Sequence, residues 1–157
     1  MGRRRKAREL ALQFLYQYDT LRETSSEEVS LDDLMGLFWR TNEMPSEDEV
    51  RVFATTLMSG ACRDMQGIDE IISSYSENWK ISRMSKVDRN IIRMAIYELL
   101  YLNDIPAPVT INEAIELGKK YGTEESGAFI NGILDRVRRA LSKGELDNDK
   151  RGDSKGS

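Results

Sequence analysis

Residues 94–102 read Met-Ala-Ile-Tyr-Glu-Leu-Leu-Tyr-Leu, apolar at every position except Glu98. The run shows no strand-like alternation, and Ser85 with Asp88 forms a capping-box pattern ahead of it, so the segment is expected to be helical. A helix that is apolar all round is buried all round. It is therefore expected to run through the middle of a domain. The chain has 157 residues, a length at which roughly 68–70% of the unfolded surface is buried on folding, enough for a self-standing core.

The surrounding sequence supplies amphipathic helices. Ala7, Leu10, Ala11, Phe14, Tyr18 and Leu21 lie on one helical face between Arg5 and about Leu21. Ser30 with Asp33 opens a second helix with Leu31, Leu34, Met35 and Phe38 inward. Ser46 with Glu49 opens a third, carrying Val50, Phe53, Ala54, Leu57, Met58 and Ala61. Ile68, Ile71, Ile72, Tyr75 and Trp79 make a fourth, directly or after a bend. Beyond the central fifth helix, Thr110 with Glu113 opens a sixth (Ile111, Ala114, Ile115, Gly118), which Gly122 stops as a C′ residue. Thr123 caps a seventh, with Ile130, Ile133, Leu134, Val137 and Leu141 inward. The three prolines, Pro45, Pro106 and Pro108, fall where periodicity lapses. The expectation is an all-α single domain of about seven helices over 1–143, with a disordered charged tail over 144–157.

The composition leaves little for catalysis. There is no histidine, which removes the commonest general base, the Ser-His and Cys-His pairings and every His-ligated metal site. The single Cys62 can close no intrachain disulfide and build no thiolate cluster; it reads as a small core residue. No phosphate-binding glycine motif is present. Glu98 is expected to be a satisfied buried carboxylate, paired with Arg93 or a helix end. No catalytic residue, metal or cofactor is expected, nor a membrane segment or signal peptide, so the cytoplasm is the expected location.

Charge is unevenly distributed. The net charge is -4, yet residues 1–8 carry Arg3, Arg4, Arg5, Lys6 and Arg8 with no acid among them. Cations at a helix N-terminus oppose the macrodipole by about 0.3–1 kcal/mol each. A sequence that accepts this cost points to an external polyanion. On a wheel centred near Ala7, Leu12 and Tyr16 lie about 140° and 180° from the buried stripe, and so face outward as a candidate partner surface. On the seventh helix Glu125, Phe129, Gly132 and Arg136 fall on a flank at about 200–260° from Ile130. A partly exposed Phe129 beside a cation suits single-stranded nucleic acid, with a base stacked on the ring.

Three ordered segments complete the reading. They are Arg-Arg-Arg-Lys-Ala-Arg-Glu-Leu-Ala-Leu-Gln-Phe-Leu-Tyr (3–16), Lys-Val-Asp-Arg-Asn-Ile-Ile-Arg-Met-Ala-Ile-Tyr-Glu-Leu (86–99), and the run from Val109 to Asp135 containing Tyr-Gly-Thr-Glu-Glu-Ser-Gly-Ala-Phe-Ile-Asn-Gly. Together they resemble NusB, the family of bacterial transcription antitermination factors. The resemblance implies a fold of two packed helical bundles and a non-enzymatic role. It implies binding of boxA RNA together with NusE, a ribosomal protein, and loading of an antitermination complex onto RNA polymerase, notably on ribosomal RNA operons. Self-association over the RNA face is also within the family's repertoire.

Carried over by motif, Arg4, Arg5 and Arg8 match the family's basic RNA-contacting segment, and Glu125, Ser126 and Phe129 its second one. Tyr16 and Asp88 match positions on the NusE-facing surface, beside which Leu12 is placed by the wheel. Gly127 and Ala128 stand where better-known members carry larger polar or basic residues, and Glu125 where Asp is common. The expected mechanism has the basic helix start tracking phosphates while Phe129 stacks on an unpaired base. With about four phosphates neutralised, affinity would fall with salt at a log-log slope of about -3. Two alternatives carry different functions: a helical protein-protein adaptor, and a NusB-like accessory domain of the kind found on RNA cytosine methyltransferases.

Overall fold

The computed structural model describes residues 2–77 and 80–146. Among them are seven α-helices: α1 (Arg3–Thr24), α2 (Leu31–Asn42), α3 (Glu49–Arg63), α4 (Met65–Tyr75), α5 (Lys86–Tyr101), α6 (Ala107–Tyr121) and α7 (Ser126–Ser142), with one 3-10 turn at Ile81–Arg83. The all-α expectation holds. Trp79 and residues 147–157, most of the expected tail, lie outside the described residues. The chain divides into two compact units, Met1–Arg63 and Asp64–Ser157. These are the two helical bundles of the expected architecture.

In the first unit α1 packs on α3 and α2. Phe14, Leu15, Leu57 and Met58 are fully buried, each worth about 1.5–3 kcal/mol relative to exposure. Phe14 meets Phe38 edge to face at 5.5 Å between centroids, and Phe38 meets Trp39 the same way at 5.1 Å. Ser30 caps α2 as expected, its side chain accepting from the Asp33 N–H at 3.3 Å. The cap of α3 differs from the expected one. Asp48, not Ser46, accepts from the first turn, at 2.8 Å from the Val50 nitrogen. Leu21, expected inward, is exposed in the last turn of α1.

In the second unit α5 packs on α4, α6 and α7, and Ile91, Ile92, Ile96 and Leu100 are fully or almost fully buried, as its apolar circumference requires. Ser85 caps it, accepting from the Asp88 N–H at 3.0 Å. Glu98 is a buried carboxylate with a hydrogen-bond partner, as expected. Its Oε1 accepts the hydroxyl of Thr110 at 3.0 Å, while Arg93 grips Asp69 with two parallel bonds of 2.8 and 2.9 Å. Thr110 is therefore a buried partner inside α6 and not its cap; the helix begins three residues earlier, behind Pro106. At the far end of α7 Gly144, at φ 76°, lets the Glu145 N–H reach the Ala140 carbonyl at 2.9 Å and its own N–H reach Leu141 at 3.3 Å. This closes the last turn as a Schellman motif.

Candidate nucleic-acid interface

The first candidate segment is the start of α1. Gly2 precedes it without a side-chain cap, and the first turn holds no acid, so the free N–H groups and the positive dipole end stand beside Arg3, Arg4, Arg5 and Lys6. All four of these residues are exposed. Arg8 is not. It is 4% exposed, which corrects its expected place among projecting arginines.

The reason is Phe53 of α3. The Arg4 guanidinium lies 4.6 Å from its ring centroid and that of Arg8 5.4 Å, so one half-buried ring gathers two cations. Arg3 pairs with Glu49 on the same helix, four residues before Phe53. From the sequence alone Phe53 is expected as plain core and Glu49 as part of a capping pattern. Their i, i+4 spacing puts both on one face of α3, the signal that could have matched them to the arginines.

Further along α1, Tyr16 is 43% exposed as expected, but Leu12 is 6% exposed and belongs to the core. A wheel centred on one stripe assumes one neighbour. A helix that packs on more than one element buries a wider arc, and here Leu12 and Leu15 are buried along with Ala7, Ala11 and Phe14.

The second candidate segment is the elbow between α6 and α7. Gly122 ends α6 at φ -100°, an extended conformation open to any residue, and not in the left-handed C′ state. Glycine is required there by proximity. A Cβ at Gly122 would lie 2.3 Å from Ser126 Oγ and 2.8 Å from the Gly118 carbonyl, and one at Gly118 would lie 2.6 Å from Ile130 Cδ1.

Ser126 is 1% exposed. Its Oγ accepts the Thr123 N–H at 2.9 Å and lies 3.4 Å from the Thr123 hydroxyl. It stitches the elbow from within, so its expected place as a surface contact is corrected. Glu125 is exposed and accepts from the Thr123 hydroxyl at 3.2 Å. Phe129, one turn beyond, is half-buried, consistent with a ring that shows one face.

Charges elsewhere on α7 are engaged internally. Arg136 donates to the Tyr75 carbonyl at 2.8 Å and lies 3.5 Å from Glu77. Arg138 and Arg139 both bind Asp135, at 2.8 and 2.7 Å. The hydrogen bond from Arg138, opposed by burial and helped by the charge of Arg139, holds the Asp135 carboxyl below its ordinary value. Asp88, the remaining expected partner contact, is half-buried in the first turn of α5, one carboxylate oxygen enclosed without a hydrogen-bond partner. No helix among the described residues is long and apolar enough to cross a membrane.

Known proteins match this arrangement closely. The model of the NusB family matches residues 5–139. A transcription antitermination protein NusB from Anaeromyxobacter dehalogenans (strain 2CP-1) is 50% identical over 140 residues, 89% of this chain and 93% of that protein. The NusB of Desulforapulum autotrophicum is 46% identical over 147 residues, 92% of this chain and 99% of its own. Among solved structures, T. maritima NusB superposes with a TM-score of 0.74 at 37% identity, over 93% of this chain and 99% of that one. A crystal structure of the antitermination factors NusB and NusE in complex with double-stranded RNA matches with a TM-score of 0.75 at 27% identity, over 89% and 98%.

Proposed function

This chain belongs to the NusB family, and on that premise we propose that it is a cytoplasmic, non-enzymatic antitermination factor. It binds boxA-type single-stranded RNA together with NusE and joins the complex that keeps RNA polymerase elongating, notably on ribosomal RNA operons. The observation that carries the reading is the start of α1. Four exposed basic residues stand on an uncapped helix end, and Arg4 is held there by Phe53. Such a surface attracts phosphates and is costly without them.

Arg4 and Arg5 take the phosphate role, with Lys6 beside them. Phe129 takes an unpaired base, and Glu125 accepts from exocyclic amines of bases. Tyr16 and Asp88 face NusE. Supporting this, the NusB named in the solved complex is bound to both NusE and RNA.

The test is binding of a short boxA-like RNA, with and without NusE, across a salt series. Because Arg8 is buried and Arg3 is paired with Glu49, the phosphate role at the start of α1 falls to Arg4, Arg5 and Lys6. Those three contacts by themselves give a log-log slope of about -2. Phe129→Ala is expected to weaken binding about tenfold or more while costing about 1 kcal/mol of stability or less, since the ring is only half-buried. Affinity that ignores salt contradicts the reading. Binding of NusE without RNA would instead make the chain a protein adaptor.

A further inference from the structure

We propose that Tyr121 is a second base-stacking platform, set beside Phe129 on the same flank of the α6–α7 pair. The proposal rests on the reading of this chain as a binder of single-stranded RNA and adds a residue to that site.

Contacts at three glycines fix the geometry. Cβ atoms built on Gly118 and Gly122 would meet Ile130 at 2.6 Å and Ser126 at 2.3 Å, and one on Gly127 would lie 3.5 Å from Ile115 Cγ2 and 3.6 Å from Lys119 Cγ. Early residues of one helix thus face late residues of the other, so the pair is antiparallel. The seam runs between Gly118 and Gly122 on α6, and between Ser126 and Ile130 on α7.

At 100° per residue, Lys119 lies about 80° to one side of the α6 seam and Tyr121 about 80° to the other. On α7 Gly127 and Phe129 are split in the same way, each about 80° from the seam. The Lys119–Gly127 approach shows that these two share a flank. Tyr121 and Phe129 must then share the opposite one.

Tyr121 suits the role chemically. It is 45% exposed, and the Lys120 ammonium lies 5.3 Å from its ring centroid. A partly exposed ring with a cation held over it offers a base its uncovered surface and a phosphate the charge. Its position is rigid, because the next residue is Gly122, pressed against Ser126. Adjacent packed helices are separated by about 8–10 Å, so the two rings can each hold a base of one unpaired strand.

The experiment is anisotropy titration of a labelled twelve-nucleotide A/U-rich single-stranded RNA with the full chain and with Tyr121→Ala, Tyr121→Phe, Lys120→Gln and Phe129→Ala, each checked for unchanged melting. Tyr121→Ala is expected to weaken binding by about fivefold or more, and Tyr121→Phe to stay within about twofold because the ring is kept. Lys120→Gln is expected to reduce the magnitude of the salt slope by about 0.7.

Full binding by Tyr121→Ala, with loss in Phe129→Ala, overturns the platform and leaves the RNA reading standing. Equal loss in Tyr121→Phe and Tyr121→Ala overturns stacking in favour of a hydroxyl contact. Absence of RNA binding by the unmodified chain overturns the RNA reading, and the platform with it.

Discussion

The two candidate segments are built on opposite principles. At the start of α1 the chemistry lies in long charged side chains, and the folded protein already competes for them: Phe53 attracts Arg4 and Arg8, and Glu49 attracts Arg3. At the α6–α7 elbow the chemistry lies in the backbone's shape. Gly118, Gly122 and Ser126 close the hairpin from inside, and Tyr121, Glu125 and Phe129 are left exposed or half-exposed. A polyanion site made of arginines is thus tuned by its neighbours. A stacking site made of a ring is tuned by the stiffness of its support.

The largest effect that could break this contrast comes from the elbow. Gly122→Ala places a methyl against Ser126 Oγ, Ser126 Cβ and the Gly118 carbonyl, at 2.3 to 2.8 Å. Backbone and a packed side chain must then move, which costs about 2–3 kcal/mol. Urea denaturation measures that loss, and the same variant should lose RNA affinity because the elbow's outer face moves with its hinge. Wild-type stability in Gly122→Ala would mean that the two helices are not held by this contact, and the contrast with α1 would fall.

The sequence made α5 legible because its evidence was redundant: an apolar circumference and a capping box agreed, and Ser85 does cap it. Thr110 and Glu113 form the same pattern, yet Thr110 lies within α6, donating to Glu98. The spacing of a hydroxyl and a carboxylate along the chain does not say which distant group the hydroxyl will satisfy. Tyr16 and Phe129 were placed outward or half-outward correctly because each lies far from a stripe that one set of neighbours defines. Leu12 and Arg8 failed because α1 has more than one neighbour, and an arginine's aliphatic stem and planar head let it be buried against a ring. Ser126 was read by motif alone, and its burial follows from Gly118 and Gly122, whose close approach no local periodicity announces.

The contrast sharpens within α1 itself. Arg4 and Arg8 share one ring, but Arg4 is exposed and Arg8 is 4% exposed. Arg8→Ala is expected to cost stability, about 2 kcal/mol, through lost packing of its stem and head. Arg4→Ala should leave stability within about 1 kcal/mol, because an exposed cation-π contact contributes no more than that. It should reduce the magnitude of the RNA salt slope by about 0.7, the loss of one phosphate contact. Paired thermal melts and salt titrations separate the two. An unchanged slope in Arg4→Ala, or an unchanged melt in Arg8→Ala, would reverse the roles assigned here.

The smallest effect concerns the competitor. Glu49 and Arg3 are both about three-quarters exposed, and an ion pair in that setting contributes little to stability. Glu49 also sits in the first turn of α3, where its charge favours the helix dipole by about 0.3–1 kcal/mol. Glu49→Gln should therefore melt slightly earlier while binding RNA slightly better, since Arg3 is released to phosphate and the salt slope steepens by about 0.7. Stability and affinity moving in opposite directions is the distinguishing result. A general loosening of α3 would lower both, and a strand that never passes the start of α1 would leave the slope where it was.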